Sequence, residues 1–545
     1  MKRILSFALS FFVLTACASI PAAGPIEIIE NINTQSDLDD VRVIAKAPSS
    51  KMTGLQIVSG FISANISTIN DFAIARQYLT ADTSQNWTPN KVVVLDSASI
   101  RYADSGAGFV SVTGLQTGYL TATHRYTIFE NPKPINFKFS LVTRSSGLRI
   151  QGILQTGFLT TSDLIRGYSP YSLYFANENY SSLVPEVVWL PHYEKSVGTK
   201  LVNILFAGSR LGLKTAVPAG TELLNGLVVI ERGLAEANLT SNALSADNAQ
   251  RRFMMAQIVW TLQSIPAVGR VSIFANGESL GARGKASLAK VDFQNLSPDY
   301  LGSKSNLYLV QNSKIKRLKG GKKVIVGFIG QAKQIAVTSD QLRVSYLLGD
   351  KLNTAFFSLP IEPETSYKGA KSFSYDRFKR VWFVDSSGGL NCQFVDGSKQ
   401  SLALPLDVKL NHVSISRDGG RLALLVSTKT GSKLFVATVI SDNGTLSVGK
   451  LRTIEQSFSE VFDVDWLNSD ELVVLGRIGL SKTQVQSISL TSGYIKNLNA
   501  PGLVETLDSD GQSNIVALRK NGRVWVYESN TWKSIGSASA VAFSR

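Results

Sequence analysis

Cysteine and histidine are nearly missing from this chain. Its 545 residues include two cysteines, Cys17 and Cys392, and three histidines. His124, His192 and His412 stand in three separate segments. No H-E-x-x-H, paired C-x-x-C or phosphate-binding loop accompanies them, so structural metal and nucleotide sites are unsupported and no cofactor is expected. Cys17 stands close to the N-terminus, far from Cys392, so no internal disulfide is expected and each domain must be held by its own core. Cys392 then reads as a small buried hydrophobe and not as a reactive thiol. Long apolar runs are equally scarce. After the first fifteen residues none approaches the 18 needed to suggest a membrane span, so the mature chain is expected to be soluble apart from any anchor.

What is present begins at the N-terminus. Met1-Lys2-Arg3 gives a charged start, and Ile4 to Thr15 gives a short apolar stretch that fits a secretory h-region. Leu14-Thr15-Ala16-Cys17 then places small residues before a cysteine, as a lipobox does. The expectation is a signal peptide over 1–16 and a lipid-modified Cys17 holding the chain to a membrane. Residues 17–46, with Pro21, Gly24, Pro25 and a polar run from Asn31 to Asp40, read as a flexible spacer.

A hydrophobic share of 44% and a charged share of 18% describe a globular chain, and the length suggests three or four domains. Net charge is +15, and residues 296–545 hold 31 Lys and Arg against 21 Asp and Glu. A basic body beside a membrane is attracted to anionic headgroups or wall polymers. Nucleic acid is not an expected partner of an exported protein.

Over 47–195 the pattern predicts helices followed by four or five strands, an α+β domain with helices on one face of an antiparallel sheet. L-Q-I-V-S-G-F-I-S-A from Leu55 and D-F-A-I-A-R-Q-Y-L from Asp71 are the helical stretches, with Phe72, Ala75, Tyr78 and Leu79 on one face. Tyr168 to Pro191 reads as an extended or hairpin stretch. Residues 196–295 form a second, smaller α+β unit. There L-V-N-I-L-F-A is expected as a buried strand, Leu227 opens another, and Asn242 to Gln263 is a helix with Met255, Ile258, Val259 and Leu262 on one side.

From 296 to 545 short strand-turn-strand units recur about Asp340, Asp376, Asp418, Asp470 and Asp510. A period of about 40–50 residues with several short strands predicts a β-propeller. The final V-A-F-S-R resembles an inner strand lacking outer ones, and the strands between Asn306 and Phe328 lack an inner one. The two ends are expected to complete one blade together, giving six.

Candidate chemistry is sparse. Gly277-Glu278-Ser279-Leu280-Gly281 matches G-x-S-x-G formally, but the G-A-R-G-K run from Gly281 is a poor helix start, so the match reads as an exit turn. Asp508-Ser509-Asp510-Gly511 and Asp442-Asn443-Gly444 lack the further acidic ligands of a calcium loop. A propeller hydrolase would need acids or histidines converging at one ring mouth, and the sequence shows none. Trp382, Trp466, Trp525 and Trp532 alternate with apolar strand residues and read mostly as blade core. The exception is a basic run, Lys314, Lys316, Arg317, Lys319, Lys322 and Lys323, with no acid between Asp299 and Asp340. It is a solvated hairpin or a contact for anionic lipid, wall polymer or an acidic protein surface.

The order of lipobox, helix-plus-sheet domain, small α+β unit and propeller resembles the actinobacterial lipoprotein LpqB family. The carrying residues are C-A-S-I-P at the anchor, G-F-I-S-A at Gly60, D-F-A-I-A-R-Q-Y-L-T with Trp87 and Pro89, and the middle unit. That unit is similar to a GerMN domain in L-V-N-I-L-F-A-G, the P-A-G-T turn and R-F-M-M-A-Q-I-V-W-T-L-Q-S-I-P-A-V. The resemblance implies a non-catalytic accessory lipoprotein on the extracytoplasmic face of the cell membrane. It implies contact with the extracellular domain of a sensor histidine kinase of the MtrA/MtrB two-component type, linked to cell-wall homeostasis and division. The family brings no catalytic residues. A glycan- or anionic-lipid-binding lipoprotein is the alternative, and a propeller hydrolase a weaker one.

Overall fold

The computed structural model describes residues 46–545 apart from 68–70, 153–154, 193, 195, 282–284, 301–303, 406, 429–430, 455–457, 480–482 and 492. Cys17, the predicted signal and the predicted spacer up to residue 45 lie outside the described residues.

Thr53 opens the first helix, Gly54–Ala64, with a capping box: its side chain accepts from the Gln56 amide while Gln56 reaches back to the Thr53 amide. The helix buries Ile57, Val58, Phe61 and Ile62 against Trp87, Phe139 and Phe158. Gly60 is required there, since a Cβ would stand 2.6 Å from the Tyr78 ring. Asp71 and Phe72 both adopt positive φ, so the second helical stretch shrinks to Ala73–Arg76 while its predicted apolar face still packs.

The sheet of this domain has six strands and is mixed. Its order is Gly147–Gln151, Tyr126–Arg144, Phe109–Thr121, Lys91–Leu95, Gly157–Thr160, with Arg101–Asp104 also on Phe109–Thr121. The expected all-antiparallel sheet is corrected at one edge, where Lys91–Leu95 pairs in parallel with Gly157–Thr160. The intervening strands return the chain to that edge in the same direction.

In the middle unit, L-V-N-I-L-F-A is helical and not the expected strand: Val197–Phe206 is a helix. Gly198, Leu201, Val202 and Leu205 are its buried residues, a 3.6-residue spacing that a short apolar run does not distinguish from a strand. Pro218 to Thr221 makes the turn, and the strand expected to open at Leu227 begins earlier, as Leu223–Glu231. Leu234–Leu239 and Arg270–Ala275 are parallel neighbours joined through the helix Asn248–Leu262, a βαβ crossover. Asp247 caps that helix by accepting the Gln250 amide at 2.8 Å.

The hairpin Tyr168–Ala176/Leu183–Pro191 touches all three domains. Tyr168 and Trp189 pack with Val92, Leu120 and Leu159 of the first. Leu173, Phe175 and Val184 join the middle core, where buried Gln257 donates to the Tyr174 carbonyl and accepts the Ala216 amide. At its tip, Asn177 Nδ2 donates to the Asp418 carbonyl at 2.8 Å and Glu178 pairs with Arg380, both in the last domain.

That last domain is a six-bladed propeller. Blade one contains Leu307–Gln311, Lys314–Lys319 and Lys322–Phe328, and its innermost strand is Ala540–Phe543. Blades two to six begin at Gln334, Ala370, Leu410, Glu460 and Val504.

Candidate functional site

The recurring aspartates close the turn after each inner strand. Asp376 accepts the Phe378 and Arg380 amides, Asp510 those of Gln512 and Asn514, Asp418 that of Gly420 and Asp340 that of Leu342. A side-chain carboxylate that mimics a backbone acceptor fixes such a turn. Blade five corrects the alignment on Asp470. Asn468 Oδ1 accepts the Asp470 and Glu471 amides there, both at 2.8 Å, while the Asp470 carboxylate binds Ser489 and Thr491.

The inner strands enclose a cavity of about 350 Å3 lined from all six blades. Here the structure brings together a group the sequence did not show: His412, Asp463, Asp465 and Asp508 converge on the cavity with Arg545. Sequence reasoning missed them because they come from blades four, five, six and one. His412 Nε2 lies 3.3 Å from Asp463, and its Nδ1 is 3.0 Å from Ser372 Oγ. Arg545 pairs with Asp465 and lies 3.0 Å from Asp508.

The acids occupy these places for a physical reason. The innermost strands of blades four, six and one present amides to the blade before them, and its side chains accept them. Asp463 takes the Leu507 amide at 2.8 Å, Asp465 takes Ser509 at 2.7 Å, and Asp508 takes Phe543 at 2.5 Å. Ser372 and Ser374 do the same for Val413 and Ile415. Burial pushes the Asp508 carboxyl up to about 8 and raises Asp463 as well. Burial holds Arg545 down to about 9, with Arg417 repelling it. The cluster stitches blades together.

The six predicted cations all fall in the outer half of blade one, but not all face solvent. Lys316 donates to Gln311 at 2.7 Å, Arg317 hydrogen-bonds the Tyr308 hydroxyl, and Lys314 lies over the Phe328 ring. Lys319, Lys322 and Lys323 are exposed, Lys323 donating to the Ile535 carbonyl at 3.1 Å. Among the described residues the outermost strand, Lys322–Phe328, pairs on one side only, and it exposes Val324, Ile325 and Phe328 beside those lysines.

The remaining candidates are structural. Ser279 is exposed on a two-residue strand, and its Oγ accepts the Gly281 amide. Asn443 and Gly444 have positive φ in a tight hairpin turn, the geometry such residues favour. No group of three or more potential ligands that could hold a metal ion occurs among the described residues. His124 is half-buried, with its pKa pushed down to about 4 by burial, and its carbonyl accepts the Trp189 amide. The His192 amide donates to the Gly167 carbonyl. Cys392 is buried between blades three and four, and burial raises its thiol. Trp382 and Trp466 are fully buried, whereas Trp525 and Trp532 are half-buried.

A helix-and-sheet domain, a small α+β unit and a propeller, joined by one hairpin, define a multidomain propeller protein. Family models match each part. Residues 47–165 match the "Lipoprotein LpqB, N-terminal domain", 172–281 match "Sporulation and spore germination", and 372–541 match the "Lipoprotein LpqB beta-propeller domain". The chain belongs to the lipoprotein LpqB family. It is 23% identical to lipoprotein LpqB of Thermobifida fusca, covering 88% of each chain. It is 22% identical to that of Streptomyces avermitilis, over 96% of this chain and 94% of the other. A solved structure similar to part of it is TolB from Acinetobacter baumannii, at 13% identity and a TM-score of 0.35, covering 52% of this chain and 84% of the other. No helix among the described residues is long and apolar enough to cross a membrane.

Proposed function

We propose that this lipoprotein is an accessory binding protein anchored through Cys17 on the extracytoplasmic face of the cell membrane. Its partner is the extracellular domain of an MtrB-like sensor histidine kinase, and it does no chemistry of its own. The open basic edge of blade one carries the proposal: three exposed lysines, three exposed apolar side chains and a strand free on one side offer an acidic protein both charge and strand pairing. The non-catalytic part of the reading is supported by the channel acids, whose carboxylates are already engaged by neighbouring amides. Confinement near a membrane raises effective concentration, so a weak contact suffices.

A photo-crosslinker at Val324, used in intact membranes, is expected to capture the kinase. Replacing Lys319, Lys322 and Lys323 together by Glu should reduce capture at least about tenfold. Cys17→Ala should release a folded protein and abolish its effect on signalling. Crosslinks from Val324 to lipid or wall polymer alone, or unchanged signalling from the released form, would overturn the kinase reading.

A further inference from the structure

A second surface lies across the ring from blade one, where the first domain meets blades four and five. Two adjoining chambers of about 540 and 130 Å3 share Arg125, Tyr126, Lys450 and Arg452 in their walls. The larger is floored on one side by Tyr119 and Phe129, whose rings pack 5.8 Å apart, with Lys133 over Phe129. Leu211 reaches both chambers, and its carbonyl accepts from Thr438 of blade four at 2.6 Å, fixing that wall. A Cβ on Gly449 would stand 2.3 Å from Thr438 Oγ1, so glycine lets the chain that carries Lys450 and Arg452 lie close along the same strand.

The charges in this cleft do not balance. Among the described residues, Arg125, Lys133, Arg421, Lys450 and Arg452 line it against Glu186 and Asp470. Glu186 is taken up by Arg125 and Ser209, Asp470 by Ser489 and Thr491, and Arg421 pairs with Asp418 outside the lining. Crediting Asp418 as well still leaves two positive charges in excess. Arg452 and Lys450 are both exposed to solvent and form no ion pair among the described residues. Like charges held together without a counterion cost stability, and an anion bound between them relieves that cost.

We propose that this three-domain cleft is a binding site for a phosphate-bearing ligand. Arg452 and Lys450 hold the phosphate, and the Tyr119–Phe129 face receives the ligand's apolar or sugar portion. A dianionic phosphate matches the excess of two charges, and guanidinium favours bidentate contact with it.

The test uses the whole chain carrying Cys17→Ala, with pyrophosphate as the soluble probe followed by calorimetry. Saturable binding is expected, and Arg452→Gln or Lys450→Gln should weaken it at least about tenfold while Lys322→Gln leaves it unchanged. Without ligand, Arg452→Gln should melt no lower than the parent, because it removes repulsion; pyrophosphate should raise the melting temperature of the parent and of Lys322→Gln well above any rise it gives Arg452→Gln. Vesicles containing anionic phospholipid, and a soluble poly(glycerol phosphate), form two further arms. Arg452-dependent binding to either supports the site and identifies the source. Pyrophosphate affinity weaker than about 10 mM, or binding that falls with Lys322→Gln and not with Arg452→Gln, overturns it.

Discussion

Glu178 Oε1 lies 2.5 Å from Arg380 Nη1, and the two side chains are 9% and 6% exposed. The hairpin tip is thereby charge-locked to blade three, since Arg380 also pairs with Asp376, the turn aspartate. Glu178 is held above the usual carboxylate range by burial, against the attraction of Arg380. At the Glu178 carboxyl desolvation is therefore the larger effect, whereas Arg380 is raised, its burial being outweighed by Asp376 and Glu178 together.

Removing the Glu178 carboxylate leaves Arg380 with one acid instead of two. Glu178→Ala is expected to cost about 2 kcal/mol, in the range for hydrogen bonds to charged groups. Calorimetric melting should show the propeller and the first two domains beginning to unfold separately. A single transition at the parent temperature would show that the apolar hairpin contacts alone couple them.

The channel makes stability depend on pH with a definite sign. Asp508 has a pKa near 8 in the fold, against about 3.9 for an unfolded aspartate. Between those values the folded chain keeps a proton that the unfolded chain has lost, so this group makes stability fall as pH rises through that window. Its effect levels off above pH 8. In Asp508→Asn the decline in melting temperature between pH 5 and pH 8 should be shallower than in the parent. Parallel curves for the two proteins would refute the assignment.

Blade five allows a comparison between adjacent positions. Asn468→Ala removes the turn acceptor and should cost about 1 kcal/mol, as loss of a capping side chain does, whereas Asn468→Asp should be close to neutral. Asp470→Ala should leave the turn formed and instead release Ser489 and Thr491 at the wall of the cleft. Hydrogen exchange at the Asp470 and Glu471 amides separates the cases, since only Asn468→Ala should accelerate both.

The propeller was legible because its turn chemistry recurs: an acceptor at a fixed point after each inner strand leaves a mark in sequence even where the strands diverge. Ring closure was legible for a related reason, in that Val541 and Phe543 had an inner strand's pattern with no outer strands behind them. The helix Val197–Phe206 was not legible as a helix, since an apolar run of that length has no distinct period. The channel acids and the cationic cleft were hidden more deeply. Asp463, Asp508 and Arg545, like Arg125, Arg421 and Arg452, are brought together only by circular closure and domain docking, which no local pattern encodes. The basic run was visible, but the inward turn of Arg317 and the tie of Lys316 to Gln311 depend on neighbouring strands.

The innermost strand of blade one has a kinetic consequence. More than two hundred residues separate Gln311 from Ala540, its partner side in the same sheet. A chain that emerges from its N-terminal side must hold blade one as a three-stranded remnant until almost everything else has appeared. Throughout that interval Leu307 and Leu309 lack the cover later given by Val541 and Phe543, and the ring stays an open arc. The same few late residues, Ala540 to Phe543, both cover those leucines and shut the arc.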